Sequence, residues 1–249
     1  MRPIKLIYRN LVNASDLKSF KLIIKESNLF ILFAPNSSKI PENLKDIAGH
    51  SLLNCRRQIE DYIKNYPSFQ ESYIPVKVGK GSPLIVREMA EASSLVNVGP
   101  MAAVAGAVAE FVGKEILKFS DEVIVENGGD IFLKSNKRRR VAIYAGEDSP
   151  FSRKIALEIN PETTPVGICC SSGTLGHSYS FGKADGSVAV AVSTALADAS
   201  ATAIGNLIQI KSDLSKGVEF AKKIPGLLGT VIIKEDKIAI WGKIKIVEL

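Results

Sequence analysis

Residues 99–134 read GPMAAVAGAVAEFVGKEILKFSDEVIVENGGDIFLK, and the change of period inside this stretch decides the fold class. Its first part, 99–115, is built largely from Ala, Gly and Val. Gly99-Pro100 places a proline in the first helical turn, where its missing amide costs nothing, and Gly113 stands where a helix can end. Side chains this small let a helix pack very close to a neighbour. The second part predicts strands at 122–126 and 130–134, joined through Asn127-Gly128-Gly129. Asn-Gly tolerates positive φ at both central positions of a primed turn, so these strands read as an antiparallel hairpin.

The same grammar extends outward. Strands are expected at 141–145, 155–159, 167–171 and 187–192, then a second small-residue helix, STALADASATAIGN, at 193–206. A helix near 213–224 and strands at 229–234 and 238–247 follow. Upstream, apolar runs at 20–25 and 29–34 flank Glu26-Ser27-Asn28 as a hairpin. Pro41 opens a helix with Leu44, Ile47, Leu52, Ile59 and Ile63 near helical spacing, and Pro67 stops it. A Pro/Gly-rich crossing from Tyr73 to Pro83 leads into a helical stretch at 87–95. Clustered strands with hairpin-length connections, and helices between the clusters, favour α+β with antiparallel sheets over a doubly wound parallel sheet. The two small-residue helices hint at a duplicated plan, each lying on a sheet, although no sequence repeat is visible.

Composition narrows the function classes. The chain has 249 residues, 46% apolar and 23% charged, and a chain of this length buries roughly 70–75% of its unfolded surface without a staple. Cys55 stands alone and Cys169-Cys170 are adjacent, which excludes a zinc finger and a disulfide-rich scaffold. On a strand the two adjacent thiols face opposite ways, in core roles rather than redox chemistry. The N-terminal residues lack an apolar signal region and a lipoprotein sorting signal. The uncharged runs at 92–109 and 163–182 are broken by Ser, Asn, Gly, Pro or His, so a cytoplasmic protein with no membrane span is expected. Part of the net charge of +6 comes from Lys137-Arg138-Arg139-Arg140. Without interleaved aromatics this run reads as a solvated turn between strands in preference to a phosphate or nucleic-acid patch.

Three constellations carry chemistry. The first is Asn127-Gly128-Gly129-Asp130, a turn whose glycines let backbone approach a ligand with Asn127 and Asp130 aimed at it. The second is Ser171-Ser172-Gly173-Thr174-Leu175-Gly176-His177, a loop of glycines and hydroxyls able to offer donors to a phosphate; it is neither a P-loop nor a nucleophile elbow. The third is Asp198-Ala-Ser-Ala-Thr202, whose carboxylate and hydroxyl share a helix face. These hard oxygens suit Mg²⁺. The competing reading is a structural Asp with Thr202 bonding back to the helix. A carboxylate among alanines is costly to bury unless it is paired or metal-bound.

In this order, the motifs resemble the ApbE-like superfamily, which includes flavin transferases once called thiamine-biosynthesis lipoproteins. The resemblance covers roughly residues 99–206 and is closest to an uncharacterised cytoplasmic branch. It implies one ApbE-like domain of two intertwined T-fold-like subdomains, roughly 1–98 with the C-terminal strands, and 99–210. It implies Mg²⁺ bridging the pyrophosphate of FAD in a cleft, and transfer of FMN to a threonine or serine of a protein acceptor. By the same resemblance Asp198 and Thr202 are metal ligands. Asn127, Gly128, Gly129, Asp130, Ser171, Ser172 and Gly173 line the cofactor cleft, and Asp198 and His177 are catalytic. The chain departs from the family at Ala105, where the transferases carry lysine, and in a shortened segment from His177 to Asp185. The expectation is therefore a phosphorylated ligand, a flavin or other nucleotide, held with Mg²⁺. The alternative is a non-catalytic binding or assembly module that kept the fold, with RNA binding a third reading. Small-residue helices also suit a subunit interface, which leaves a homo-oligomer open.

Overall fold

The structure is a computed structural model and describes residues 14–35, 39–173 and 181–249. A hairpin of β1 (Lys18–Ile24) and β2 (Ser27–Phe33) precedes α1 (Leu44–Asn65), the single turn α2 (Ser68–Glu71) and α3 (Leu84–Leu95). A 3-10 turn, Pro100–Ala103, runs straight into α4 (Val104–Ile116). Strands β3 (Val123–Asn127), β4 (Asp130–Lys134), β5 (Arg139–Ala142), β6 (Ile155–Ile159), β7 (Val166–Ser171) and β8 (Gly186–Ala191) follow. After them come α5 (Thr194–Asn206), α6 (Leu214–Ala221), β9 (Leu227–Lys234), β10 (Lys237–Gly242) and β11 (Lys245–Glu248).

Eight strands form one antiparallel sheet in the order β1-β2-β3-β4-β7-β8-β9-β10, and β11-β6-β5 form a second. Helices cover one face of the large sheet and the small sheet covers the other, so the fold is α+β. On β4, Phe132 packs among the helices while Ile131 and Leu133 pack against the small sheet, as the two-residue period requires. Burial on both faces explains why β3 and β8 are covered along their whole length. Cys169 and Cys170 split between the two cores in the same way. Truncating Leu133, wholly buried, to Ala would cost about 2–5 kcal/mol.

The small-residue helices do what their composition suggested, on one shared sheet. α4 lies over β3 and β4, and α5 over β7 and β8. Gly113 does not end α4, which runs on to Ile116; a Cβ there would lie 2.2 Å from Phe132 Cδ1, so the glycine makes room for that ring. The Asn127-Gly128-Gly129-Asp130 turn is a two-residue hairpin, with Asn127 opposite Asp130 and φ of +68° and +110° at the glycines. The first hairpin turns earlier than expected, because Ser27 already pairs with Ile24. The strand expected over 238–247 is two strands. At Gly242 (φ +107°) the chain leaves the large sheet, and β11 joins the small one.

The basic run is only in part a solvated turn: Lys137 and Arg138 are exposed between β4 and β5, but the residue that follows is not. Arg139 starts β5 facing inward, 4% exposed, with Asp16 Oδ1 at 2.6 Å and Glu122 Oε2 at 2.8 Å. Lys137 pairs with Asp16 at 2.8 Å, and Arg138 and Arg140 stand 3.8 and 3.6 Å from Glu158. No single described helix is long and apolar enough to cross a membrane.

Candidate functional site

α4 and α5 approach side by side on the large sheet, and glycine at position 106 makes this possible. A Cβ there would sit 2.3 Å from the Thr194 carbonyl oxygen and 2.8 Å from Asp198 Cβ. The Gly106 amide donates to Asp198 Oδ2 at 2.9 Å, and the Ala105 amide also donates to that carboxylate. The Ala105 carbonyl in turn accepts from Asn127 Nδ2 at 3.0 Å. The 105–106 backbone is thus held between the β3–β4 hairpin and α5.

Above this backbone opens a cavity of about 280 Å³. Asp198, Thr202 and Asn206 line it from α5, at i, i+4 and i+8 of one helix face. Asp130 lines it from β4, Met101 from the 3-10 turn and Ala105 from the start of α4, Gln70 from α2, and Ser72 and Tyr73 from the segment after it. That segment can lie so close because Gly99 has no side chain: a Cβ there would meet the Ser72 carbonyl oxygen at 1.8 Å. Phe181 closes the wall, its ring 5.2 Å from that of Tyr73 in an edge contact. Its amide donates to Asn206 Oδ1 at 2.9 Å and its carbonyl accepts from Gln209 Nε2 at 2.8 Å.

The electrostatics are one-sided. The described lining contains two carboxyls and no lysine or arginine. Asp130 is 9% exposed; burial pushes it up to about 7, against hydrogen bonds from the Cys169 thiol and the Cys170 amide. Asp198 is held well above the usual carboxylate range by loss of solvent and by Asp130, although two amides bond to it. Cys169, wholly buried under both, has its thiol raised well above the ordinary value by burial first and by the two carboxyls next. It is an inert thiol. Among the described residues no group of three or more His, Cys, Asp and Glu side chains is placed to hold a metal. A site with one or two protein oxygens is what Mg²⁺ accepts, and the carboxylates and the Thr202 hydroxyl are hard donors of that kind.

A family model described as AbpE bacteria matches residues 9–222. The chain belongs to the ApbE-like superfamily. A UPF0280 protein of Methanococcus aeolicus is 39% identical over 229 residues, covering 90% of each chain. Among solved structures, the apo flavinyl transferase ApbE of Pseudomonas stutzeri shares the fold at TM-score 0.60 and 12% identity, over 91% of this chain and 94% of its own. The flavin transferase ApbE of Vibrio cholerae shares it at TM-score 0.54 and 13% identity, over 91% and 97%.

Against this ApbE-like background, the structure brings together Asp130, Asp198 and Thr202 at one cavity, with Asn127 directly behind it. Gly128 and Gly129 lie at the turn tip rather than in the lining, and the Gly129 amide is engaged by Glu126 Oε1 at 2.9 Å. Ser171, Ser172 and Gly173 also lie outside the lining, and the Gly173 amide donates to the Ala184 carbonyl at 2.9 Å. His177 falls outside the described residues. Sequence reasoning missed Gln70, Ser72, Tyr73 and Asn206. Asn206 was findable, since it continues the Asp198–Thr202 face by one turn; the segment at 70–73 reaches the site only through the close approach at Gly99.

Proposed function

We propose that this chain binds a phosphorylated, flavin-type nucleotide in the α4/α5 cavity together with Mg²⁺ held by Asp198 and Thr202, and that it passes the FMN moiety to a protein hydroxyl. The observation that carries this reading is the pair of carboxyls, Asp130 and Asp198, facing one cavity whose described lining offers no cationic side chain. Two acids at one cavity, Asp130 buried and Asp198 half-buried, favour the arrival of a cation. When bound, that cation supplies Lewis acidity and neutralises phosphate charge. The Gly106 and Ala105 amides aim the Asp198 carboxylate, Asn127 fixes the peptide that carries them, and Thr202 adds a neutral oxygen. Tyr73 and Phe181 flank the opening with aromatic surface for a flat ring. Transfer breaks the phosphoanhydride of the dinucleotide, joins the FMN phosphate to a serine or threonine of the acceptor, and releases AMP. Asp198 and His177 are the candidate catalytic residues, and the names of the solved relatives support the flavin class.

Ala105 favours a second reading. Where the transferases carry lysine, this cavity has a methyl group beside Asp198, so ligand binding without turnover is the alternative. Thermal unfolding with FAD, FMN or ATP, each with and without Mg²⁺, tests binding. A ligand at a hundredfold excess over its dissociation constant stabilises by about 2.7 kcal/mol. A Mg²⁺-dependent shift with FAD that Asp198→Ala abolishes supports the site, and unchanged affinity in that variant removes it. AMP release in the presence of acceptor separates transfer from binding.

A further inference from the structure

Hydrogen bonds tie α4 to α5 at two levels, and only one of them, the bonds from Gly106 and Ala105 to Asp198, involves the cavity. At the other, Glu110, 5% exposed, reaches from α4 and accepts the Thr194 amide at 2.6 Å through Oε2. Gly106 and Glu110 stand four residues apart on α4, as do Thr194 and Asp198 on α5. The bonds 106–198 and 110–194 are therefore antiparallel rungs one helical turn apart.

The first amides of a helix have no partner within it, and a carboxylate beside them also complements the helix dipole. Ser193 Oγ takes the Leu196 amide at 3.2 Å, and Glu110 takes that of Thr194 from the neighbouring helix. The other oxygen of Glu110 pairs with Lys114 at 2.7 Å, which orients the carboxylate. At Gly106 the helices touch, a Cβ there meeting Thr194 of one rung and Asp198 of the other, so a slide of α5 would strain both rungs.

We propose that Glu110 is a positioning residue: by capping α5 from α4 it sets the depth at which Asp198 and Thr202 enter the cavity. Its consequence for a cation rests on the function proposed above, whereas the coupling between the rungs does not.

The test uses the full chain, with amide exchange read by NMR and Mn²⁺ titrated as the probe ion. Glu110→Gln keeps an oxygen that can accept from Thr194, and Glu110→Ala does not. In Glu110→Ala the Gly106 amide is expected to exchange about tenfold faster while Val231 in the sheet keeps its relative protection. Mn²⁺ affinity is expected to fall at least about tenfold, the usual effect of losing a group that orients a ligand. Glu110→Gln restores both to within about threefold of the parent. Lys114→Ala, at an exposed position, keeps the fold and should give a small loss of the same sign. If both Glu110 variants lower the melting temperature alike while Gly106 exchange and Mn²⁺ affinity stay at parent values, the role is merely structural and the proposal is overturned. If the parent binds no Mn²⁺ but the exchange result holds, the cation reading falls and the positioning stands. If Asp198→Asn abolishes Mn²⁺ binding and Glu110→Ala weakens neither readout, the reverse follows.

Discussion

Where the small sheet meets the start of β3, Glu122 and Asp16 surround Arg139; beneath α4 and α5, Asp130 and Asp198 face each other's field with no guanidinium in the lining among the described residues. Both regions withdraw a carboxyl from bulk water, Glu122 in the first, where Asp16 stays exposed, and Asp130 in the second. In the first, hydrogen bonds from Ser135 and Arg139 outweigh burial and hold Glu122 below the ordinary value, and Arg139 and Lys137 hold Asp16 well below it. In the second, burial wins, and Asp130 and Asp198 rise. The first cluster is complete as it stands and belongs to the scaffold. The second has no cationic partner among the described residues, and on the function proposed above a bound cation would complete it.

Removing the pairing charge gives the largest expected effect. Arg139→Met leaves Glu122 buried without its counter-ion and should cost about 3–5 kcal/mol, seen as a fall in melting temperature of order 10 °C. Asp198→Asn should leave the ion-free protein as stable or stabilise it, because burial and the neighbouring Asp130 already disfavour the charged carboxylate and the amide oxygen can still accept from Gly106. Equal losses in urea unfolding at pH 8 would mean that the two clusters are alike and the contrast is wrong.

Acidity separates them by sign. From the ordinary Asp value of 3.8 up to about 7 the folded protein keeps a proton on Asp130 that the unfolded chain has released, so stability falls as pH rises through that window and levels off above it. Asp198 acts in the same direction. Asp16 and Glu122 act oppositely: their contribution is present above the ordinary values of 3.8 and 4.5 and is lost as pH falls below them. The ion-free protein should be most stable in mildly acid solution. Asp130→Asn should flatten the decline toward neutrality, and Mg²⁺ should offset it, in unfolding titrations across the range. A decline that survives both changes would assign it elsewhere.

Gly106→Ala tests how tightly the second region is built. The new methyl meets backbone at Thr194, so the helices must part, at about 1–3 kcal/mol with loss of Mn²⁺ affinity. Gly217→Ala on α6 meets side chains alone, those of Ile232, Ile208 and Ile204, and should cost less, with Mn²⁺ affinity unchanged. Equal costs would show that the α4/α5 contact is not the constraint on the cavity.

These contrasts also mark how far the sequence was legible. The antiparallel α+β class follows from the hairpin at Asn127–Asp130 and from the two small-residue helices, since turn chemistry and period are local properties. Asp198 with Thr202 is legible for the same reason: four residues on a helix is a fixed geometry. What escaped depends on contacts far apart in the chain. Glu110 looks like an ordinary charged residue of α4 until Thr194 lies against it, and Gly113 looks like a helix end until Phe132 is in place. Arg139 is one of four consecutive basic residues, and only the strand's alternation, together with Asp16 and Glu122, turns it inward.

That alternation yields the smallest expected effect. Arg138 and Arg140 flank Arg139 in sequence but point outward, 65% and 49% exposed, and both share Glu158 with Lys245, which lies 2.8 Å from it. Removing either leaves two cations on the same carboxylate, in contact with water and screened by salt. Arg138→Ala and Arg140→Ala should therefore melt within the scatter of repeat scans, at low and at high salt. Their indifference beside the collapse expected at Arg139 isolates burial as the cause, because the chemistry of the side chain and its place in the run are the same. A loss at Arg140 comparable to that at Arg139 would show instead that the basic run stabilises as a unit, and the division between a completed scaffold cluster and an incomplete site would have to be redrawn.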